Sequence, residues 1–473
     1  MKIFYLRFLI FIFIGLGISS CSTEDELGNS TPTPPETQAL DLQEYKNGTG
    51  VMMQAFYWDV EPRHEWYKIL MGKVEGWAEA GVDRIWLPAP SKGQSGGYSM
   101  GYDPSDYFDL GEFMQHGTVP TRFGTRSELE ALISKAHTVD MEVIADIVIN
   151  HNSGGGLQWN PYRNKDTYTL FNKENGNASG MFNRTYENFY PNSTSQYDPG
   201  SLFYAEQNLD HNQEYVKNWL WKADNSVAKF YKNVIGFDGW RFDYVLGFEP
   251  WVVKEWVQEV GGFAVAENWD GNAANLVKYV EATGVAAFDF ACFYKLDEAF
   301  DRHKDLTILN RDMLRKTHPD LAVTFTANHD TEKDSNQENN ISYGNKMKAY
   351  AYILTHDGYP TIFYSDYENP TFQNELKRLI LINNSLATGD VEILFADKDE
   401  YVMKRSGSAG NPGLIFYINI AANSQRREIN TTWKNAKIMD YAKKSSLSPT
   451  TDATGNVSIE APANSYSIWS IME

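Results

Sequence analysis

A chain of 473 residues is too long for one simple core and calls for two or three domains. Its composition, 42% hydrophobic and 22% charged, is globular and excludes a disordered chain. A formal charge of −20 argues against nucleic acid as a partner, because the phosphates would be repelled.

The chain opens on "MKIFYLRFLIFIFIGLGISSC". Lys2 and Arg7 precede an apolar run over 8–18, and small residues lead on to Cys21, which is the layout of a secretory signal. The run is too short and wrongly flanked for a transmembrane helix. "ISSC" resembles a bacterial lipobox, in which the cysteine is lipidated and becomes the mature N-terminus. The acidic "STEDE" that follows resembles signals that send lipoproteins to the outer cell surface. These features predict a signal peptide over 1–21 and a lipid anchor on Cys21, at the outer membrane or cell surface. The polar, Pro-rich residues 22–48 read as a flexible tether. Cys292, within "FDFACFYKL", is the one other cysteine and reads as a buried thiol, so no intramolecular disulfide is expected.

From Val51 short apolar runs alternate with amphipathic stretches at helical spacing. The runs predict strands over 51–58, 83–90, 142–150, 239–245, 263–268, 285–291, 322–328 and 361–367. Helices are predicted between them over 65–80, 126–138, 249–260 and 345–355. Eight alternating units of this kind predict an α/β fold, a (β/α)8 TIM barrel over 49–151 and 208–388. An open doubly wound sheet is the alternative, but no Gly-rich nucleotide fingerprint follows the first strand. Residues 152–207, rich in Asn, Gly, Tyr and Ser and without sustained period, form an insertion after strand 3; a connection this long is usually functional. Beyond 389 the helical patterns vanish, and alternating stretches such as "GLIFYINI" predict a C-terminal antiparallel β-sandwich over 389–473.

In the fourth strand, "GWRFDYV", Arg241 and Asp243 are two residues apart and share a face. A buried ion pair gains little stability because both charges lose water, so this pair invites a functional reading. In a (β/α)8 barrel chemistry is done at the C-terminal ends of the strands. Those ends carry Asp146, Asn150 and His151 on strand three, Arg241 and Asp243 on four, Glu267 on five, and His329 with Asp330 on seven. Clustered acids must be relieved by raised pKa, cation pairing or hydrogen bonds. Arg241 beside Asp243 would keep that carboxylate ionised, as a nucleophile must be, whereas Glu267, crowded by negative charge, would hold its proton as a general acid must. Retaining glycosidases divide labour in this way. A metal site is the competing class, weakened by the absence of His-x-x-x-His or Asp-x-Asp among these residues.

Four stretches, "DIVINH" (146–151), "GWRFDYV" (239–245), "AENW" (266–269) and "TANHD" (326–330), resemble in order the signature segments of glycoside hydrolase family 13, the alpha-amylase family. The resemblance spans roughly 50–385, and "GWRFDYV" with "WVVKEWV" is most similar to archaeal and plant-type members. It implies a barrel with a protruding B domain over 152–207 and a C-terminal β domain. By position it implies Asp243 as nucleophile, Glu267 as acid/base and Asp330 as the carboxylate that binds sugar hydroxyls in the transition state. Arg241 would orient Asp243, His151 and His329 would bind the sugar, and Tyr102 would stack on it. A structural calcium between barrel and B domain is also implied, with Asn150, Asn208, the Gly247 carbonyl and Asp198 as ligands; all are oxygen donors. Asn208 stands where Asp is common, which removes a charge. Leu246 stands where many relatives carry a sugar-binding Lys, which predicts weaker binding on the leaving-group side.

The expected activity is retaining endo-hydrolysis of internal α-1,4 bonds of starch-like glucans. A debranching, maltogenic or transferase relative, or a non-catalytic glucan-binding surface lipoprotein, is the alternative. Expected partners are the α-glucan, the membrane through Cys21, and other surface glucan-binding proteins.

Overall fold

The computed structural model describes residues 37–44, 49–198, 206–333 and 340–473. The expected signal peptide, Cys21 and most of the expected tether lie outside the described residues.

Eight parallel strands close a barrel in chain order: β1 Met52–Gln54, β2 Arg84–Leu87, β3 Glu142–Ile147, β4 Gly239–Phe242, β5 Ala264–Ala266, β6 Ala286–Phe288, β7 Ala322–Thr324 and β8 Tyr359–Phe363. β1 closes the ring by pairing with both β2 and β8. Every predicted strand is present and shorter than its run; β8 begins two residues before its predicted start, and 364–367 form a short helix instead. The residues at the ends of the runs leave the ladder to form the mouth of the barrel. Strand residues such as Val143, Val265, Ala287 and Ile362 are fully buried, because helices cover the barrel's outer face.

Local signals set the helices. Thr125 and Glu128 form a reciprocal capping box at the start of Arg126–His137. Pro250 occupies the first turn of Pro250–Val260. The stretch predicted as one helix over 65–80 is two, Trp66–Met71 and Val74–Ala80, interrupted around Gly72.

The insertion after β3 contains an antiparallel hairpin, Gly156–Asn160 with Lys165–Leu170. A bridge between His151 and Asn208 joins the start of the insertion to its end.

The C-terminal region holds β9 Val391–Ala396, β10 Glu400–Arg405, β11 Leu414–Asn419, β12 Gln425–Asn430, β13 Ile438–Asp440, β14 Asn456–Ala461 and β15 Ser465–Ile471. Five form one antiparallel sheet in the order β9-β10-β11-β15-β13, and β12 pairs with β14. Val402, Ile415, Tyr417 and Trp469 from the larger sheet meet Ile429, Val457 and Ile459 from the smaller, giving the sandwich its own core.

Composition placed residues up to 48 in the tether, and here the structure corrects the reading. Leu40 and Leu42 are buried in the main core, the Leu40 N–H donates to Tyr441 Oη at 2.8 Å, and Ser385 Oγ donates to the Leu42 carbonyl at 2.6 Å. Two buried leucines, together with backbone pairing of Gln38 and Ala39 to the last residues of the chain, fix this segment.

Candidate active site

Strand register builds the site. Asp146 on β3 lies directly beside Arg241 on β4, and Phe242 lies beside Ala266 on β5, so that Glu267 follows next to Asp243. Arg241, only 1% exposed, is the hub. Its Nη1 donates to both Asp146 oxygens at 2.9 and 3.1 Å and to Asp243 Oδ1 at 2.8 Å. Its Nη2 stands 2.7 Å from Glu267 Oε1. The other Glu267 oxygen accepts the Tyr244 N–H at 3.0 Å. Tyr244 adopts a left-handed backbone, φ 43°, an uncommon state for a bulky residue that turns the chain out of β4.

One guanidinium thus faces three carboxyl groups in a water-poor space. Burial drives Glu267 well above its ordinary range. Arg241 opposes that shift, and Asp243 and Asp330 add to it. Asp146 is pushed up to about 7, again by burial first, with Arg241 opposing and Asp243 adding. Asp146 is held by Trp86 Nε1 at 3.1 Å and by Tyr102 Oη at 2.9 Å.

Beside the acids lies an aromatic wall. Trp58, Tyr102 and His329 are nearly parallel, with centroids 5.7 Å apart for Trp58–Tyr102, 5.9 Å for Trp58–His329 and 5.3 Å for Tyr102–His329. Gln54 Nε2 donates to His329 Nδ1 at 2.9 Å, which leaves the ring proton on Nε2, 3.4 Å from Asp330 Oδ2. Asp330 is the most open of the acids, its side chain 34% exposed. His151 Nε2 donates to the Tyr102 carbonyl at 3.0 Å, and its Nδ1 faces Asn150 Nδ2 at 3.1 Å. Burial holds His151 below the usual imidazole range, which suits a neutral linker.

Asn150 leads to the second cluster. Its Nδ2 is 3.4 Å from Asn208 Oδ1, Asn208 Nδ2 donates to Asp198 Oδ2, and a side chain on Gly247 would run into Asn150 Oδ1. The four residues expected as calcium ligands are therefore neighbours. Among the described residues no group of three or more His, Cys, Asp or Glu side chains is placed to hold a metal. A cation here would rest on one carboxylate plus amide and carbonyl oxygens, a donor set that fits calcium.

The predicted residues Asp243, Glu267, Asp330, Arg241, Tyr102 and His329 all reach one mouth. Sequence reasoning gave no role to Asp146, Trp86, Gln54 or Trp58. Gln54 carried a signal, since a glutamine within "VMMQAFYW" is a polar residue in an otherwise buried run. Leu246 is 49% exposed in the turn Val245–Gly247, just beyond Asp243.

A closed parallel barrel presenting paired carboxyl groups and an aromatic wall at its C-terminal mouth defines a glycoside hydrolase. A family profile described as "Alpha amylase, catalytic domain" matches residues 70–250, and one described as "Alpha-amylase C-terminal" matches 414–470. The cytoplasmic alpha-amylase of Escherichia coli K12 is 27% identical, over 89% of this chain and 99% of its own length. An alpha-amylase of Bacillus licheniformis is 28% identical, over 80% and 85%. The fold matches a crystal structure of an alpha-amylase from Geobacillus thermoleovorans complexed with acarbose, with TM-score 0.66, 19% identity, and coverage of 91% of this chain and 99% of that one. The chain belongs to the alpha-amylase family, glycoside hydrolase family 13.

Proposed function

We propose that this chain is an α-amylase that hydrolyses internal α-1,4-glucosidic bonds of starch-like glucans with retention. One observation carries the reading: Arg241 touches Asp243 and Glu267 side by side, and burial drives Glu267 above its ordinary range, so a carboxyl group that holds a proton stands next to one placed to attack.

A glucose ring lies against Trp58 and Tyr102. Asp243 attacks its anomeric carbon as Glu267 delivers its proton to the departing oxygen; the glycosidic C–O bond breaks and a glycosyl ester on Asp243 forms. Ionised Glu267 then takes a proton from water, which attacks the same carbon and releases Asp243. Asp330 and the His329 Nε2–H hold ring hydroxyls as the sugar flattens. Gln54, Trp86 and Asp146 act behind them, fixing His329 and Arg241. Asn150, Asp198, Asn208 and the Gly247 carbonyl would hold calcium, whose part is to clamp the insertion to the barrel.

The N-terminal signal supports export and a lipid on Cys21, which would hold the enzyme at the bacterial surface among other glucan-binding proteins. No helix among the described residues is long and apolar enough to cross a membrane.

The test is proton NMR of the anomeric signals while the protein digests maltoheptaose, with Asp243→Asn in parallel. Early α-anomer from the wild type alone is the expected result. Starch binding without new reducing ends would replace catalysis with a binding role.

A further inference from the structure

The hairpin in the insertion has its polarity turned inside out. Thr167, Thr169 and Asn160 are buried. Thr167 Oγ1 and Thr169 Oγ1 are 2.8 Å apart, and Gln158 Nε2 donates to Thr169 Oγ1 at 3.0 Å. The face turned outward carries Leu157, Trp159 and Tyr168, which are 55%, 56% and 55% exposed. Trp159 is paired directly with Asp166, so Tyr168 is its diagonal neighbour on the same face. The bulge between Gly156 and Gln158 brings Leu157 beside Tyr168. A two-stranded hairpin with a satisfied polar interior has no folding reason to expose a tryptophan, a tyrosine and a leucine together.

We propose that this face is a second glucan-binding site, separate from the cleavage mouth, and that its occupant is a stretch of linear α-1,4-glucan. The proposal rests on the amylase reading above, and three observations select this occupant. Flat aromatic rings beside an exposed carboxylate, Asp166, offer apolar surface to sugar C–H faces and an acceptor to sugar hydroxyls. A chain of net charge −20 disfavours an anionic polymer and leaves a neutral one acceptable. The hairpin is also tied by hydrogen bonds to the segment that leads into the catalytic mouth. Gln207 Nε2 donates to the Tyr168 carbonyl at 2.7 Å, and the Gln207 carbonyl accepts the N–H of Asn152, next to His151, at 3.0 Å. The hairpin is thus held at a fixed offset from the bond being cut, so a polymer seated on it is presented to Asp243 at raised local concentration.

The experiment uses the full chain. Adsorption to starch granules is measured in the Asp243→Asn background with and without Trp159→Ala/Tyr168→Ala, and kcat and KM on maltoheptaose are measured for the same pair in the active protein. We expect adsorption to fall at least about tenfold with both aromatic rings removed, and the maltoheptaose constants to stay unmoved. Trp159→Phe, which keeps a ring, should restore most of the adsorption. Unchanged adsorption overturns the proposal. Equal losses on granules and maltoheptaose also overturn it, by placing the hairpin within the cleavage subsites or in the stability of the fold. A wild-type dimer in size-exclusion chromatography that the double substitution abolishes would give the face to a second copy instead. A wild type that adsorbs but never cleaves maltoheptaose would sink the catalytic reading while leaving this site standing.

Discussion

Arg241 and Arg315 are equally buried, each 1% exposed, yet their surroundings are opposite. Arg241 meets Asp146, Asp243 and Glu267, delivered by three adjacent strands. Arg315 sits where the barrel meets the C-terminal sandwich, and its guanidinium donates to Asp357 and to Tyr352 Oη. Tyr352 stacks on His356 at 3.8 Å, and His356 reaches Tyr401 Oη of β10 at 3.0 Å. One arginine is balanced by its partners; the other is outnumbered. A matched pair locks a seam. Burial, with the neighbouring acids adding to it and one arginine opposing, drives Glu267 well above its ordinary range, and a proton held there is what a general acid needs.

The largest effect that could break this contrast is at Glu267. Glu267→Gln removes the transferable proton and should lower kcat on maltooligosaccharides about 10³-fold, within the range general acids contribute. On a glycoside with a good leaving group, the first step should stay within about tenfold of wild type, because that departure needs little protonation. The pH profile gives an independent reading. The protonated form is active, so wild-type activity falls as pH rises through a limb set above the ordinary value of about 4.3. The substituted enzyme should lose that limb on the activated substrate. Equal damage to both substrates in single turnover would remove Glu267 from the acid's role.

Arg315→Met tests the other side. It strands Asp357 and the Tyr352 hydroxyl at a buried seam, and should cost about 3 kcal/mol in urea unfolding, the low end for a broken buried pair because Asp357 is partly exposed. Turnover per folded molecule should not change. Lost activity in a protein of unchanged stability would erase the distinction between the two arginines.

How much of this could be read in advance follows from the same physics. The barrel strands were legible because strands buried on both faces are nearly unbroken apolar runs. Arg241 and Asp243 declared a shared face by spacing alone. What spacing cannot give is which strand lies alongside, so the pairing of Asp146 with Arg241 and of Gln54 with His329, 275 residues apart, appears only with closure of the barrel. The hairpin over 156–170 was missed because its polar residues point inward, against the usual pattern. Residues 38–44 were misassigned because composition averages hide two leucines.

Calcium sharpens the comparison from outside the charge cluster. A cation held by Asn150, Asp198, Asn208 and Gly247 would stabilise the folded state by mass action. Chelation should therefore lower the thermal midpoint, and Asn208→Asp, which restores a carboxylate, should reduce the calcium concentration needed to recover it. A midpoint indifferent to both would show that the insertion is held by its hydrogen bonds alone.

The smallest effect is expected at Leu246, half-exposed just past Asp243. If the family resemblance places this position on the leaving-group side, an apolar side chain there would offer sugar hydroxyls no partner. Leu246→Lys adds a flexible cation, and the added hydrogen bond should contribute about 1 kcal/mol, a few-fold decrease in KM on maltooligosaccharides. Because the added cation would stand near the buried Glu267, it should favour that group's ionised form and move the alkaline limb of activity downward. A lower KM together with that pH shift, and altered product lengths, would identify residue 246 as a point where substrate binding and the carboxyl cluster communicate. If neither KM nor the product pattern moves, the leaving-group subsites are built without this position.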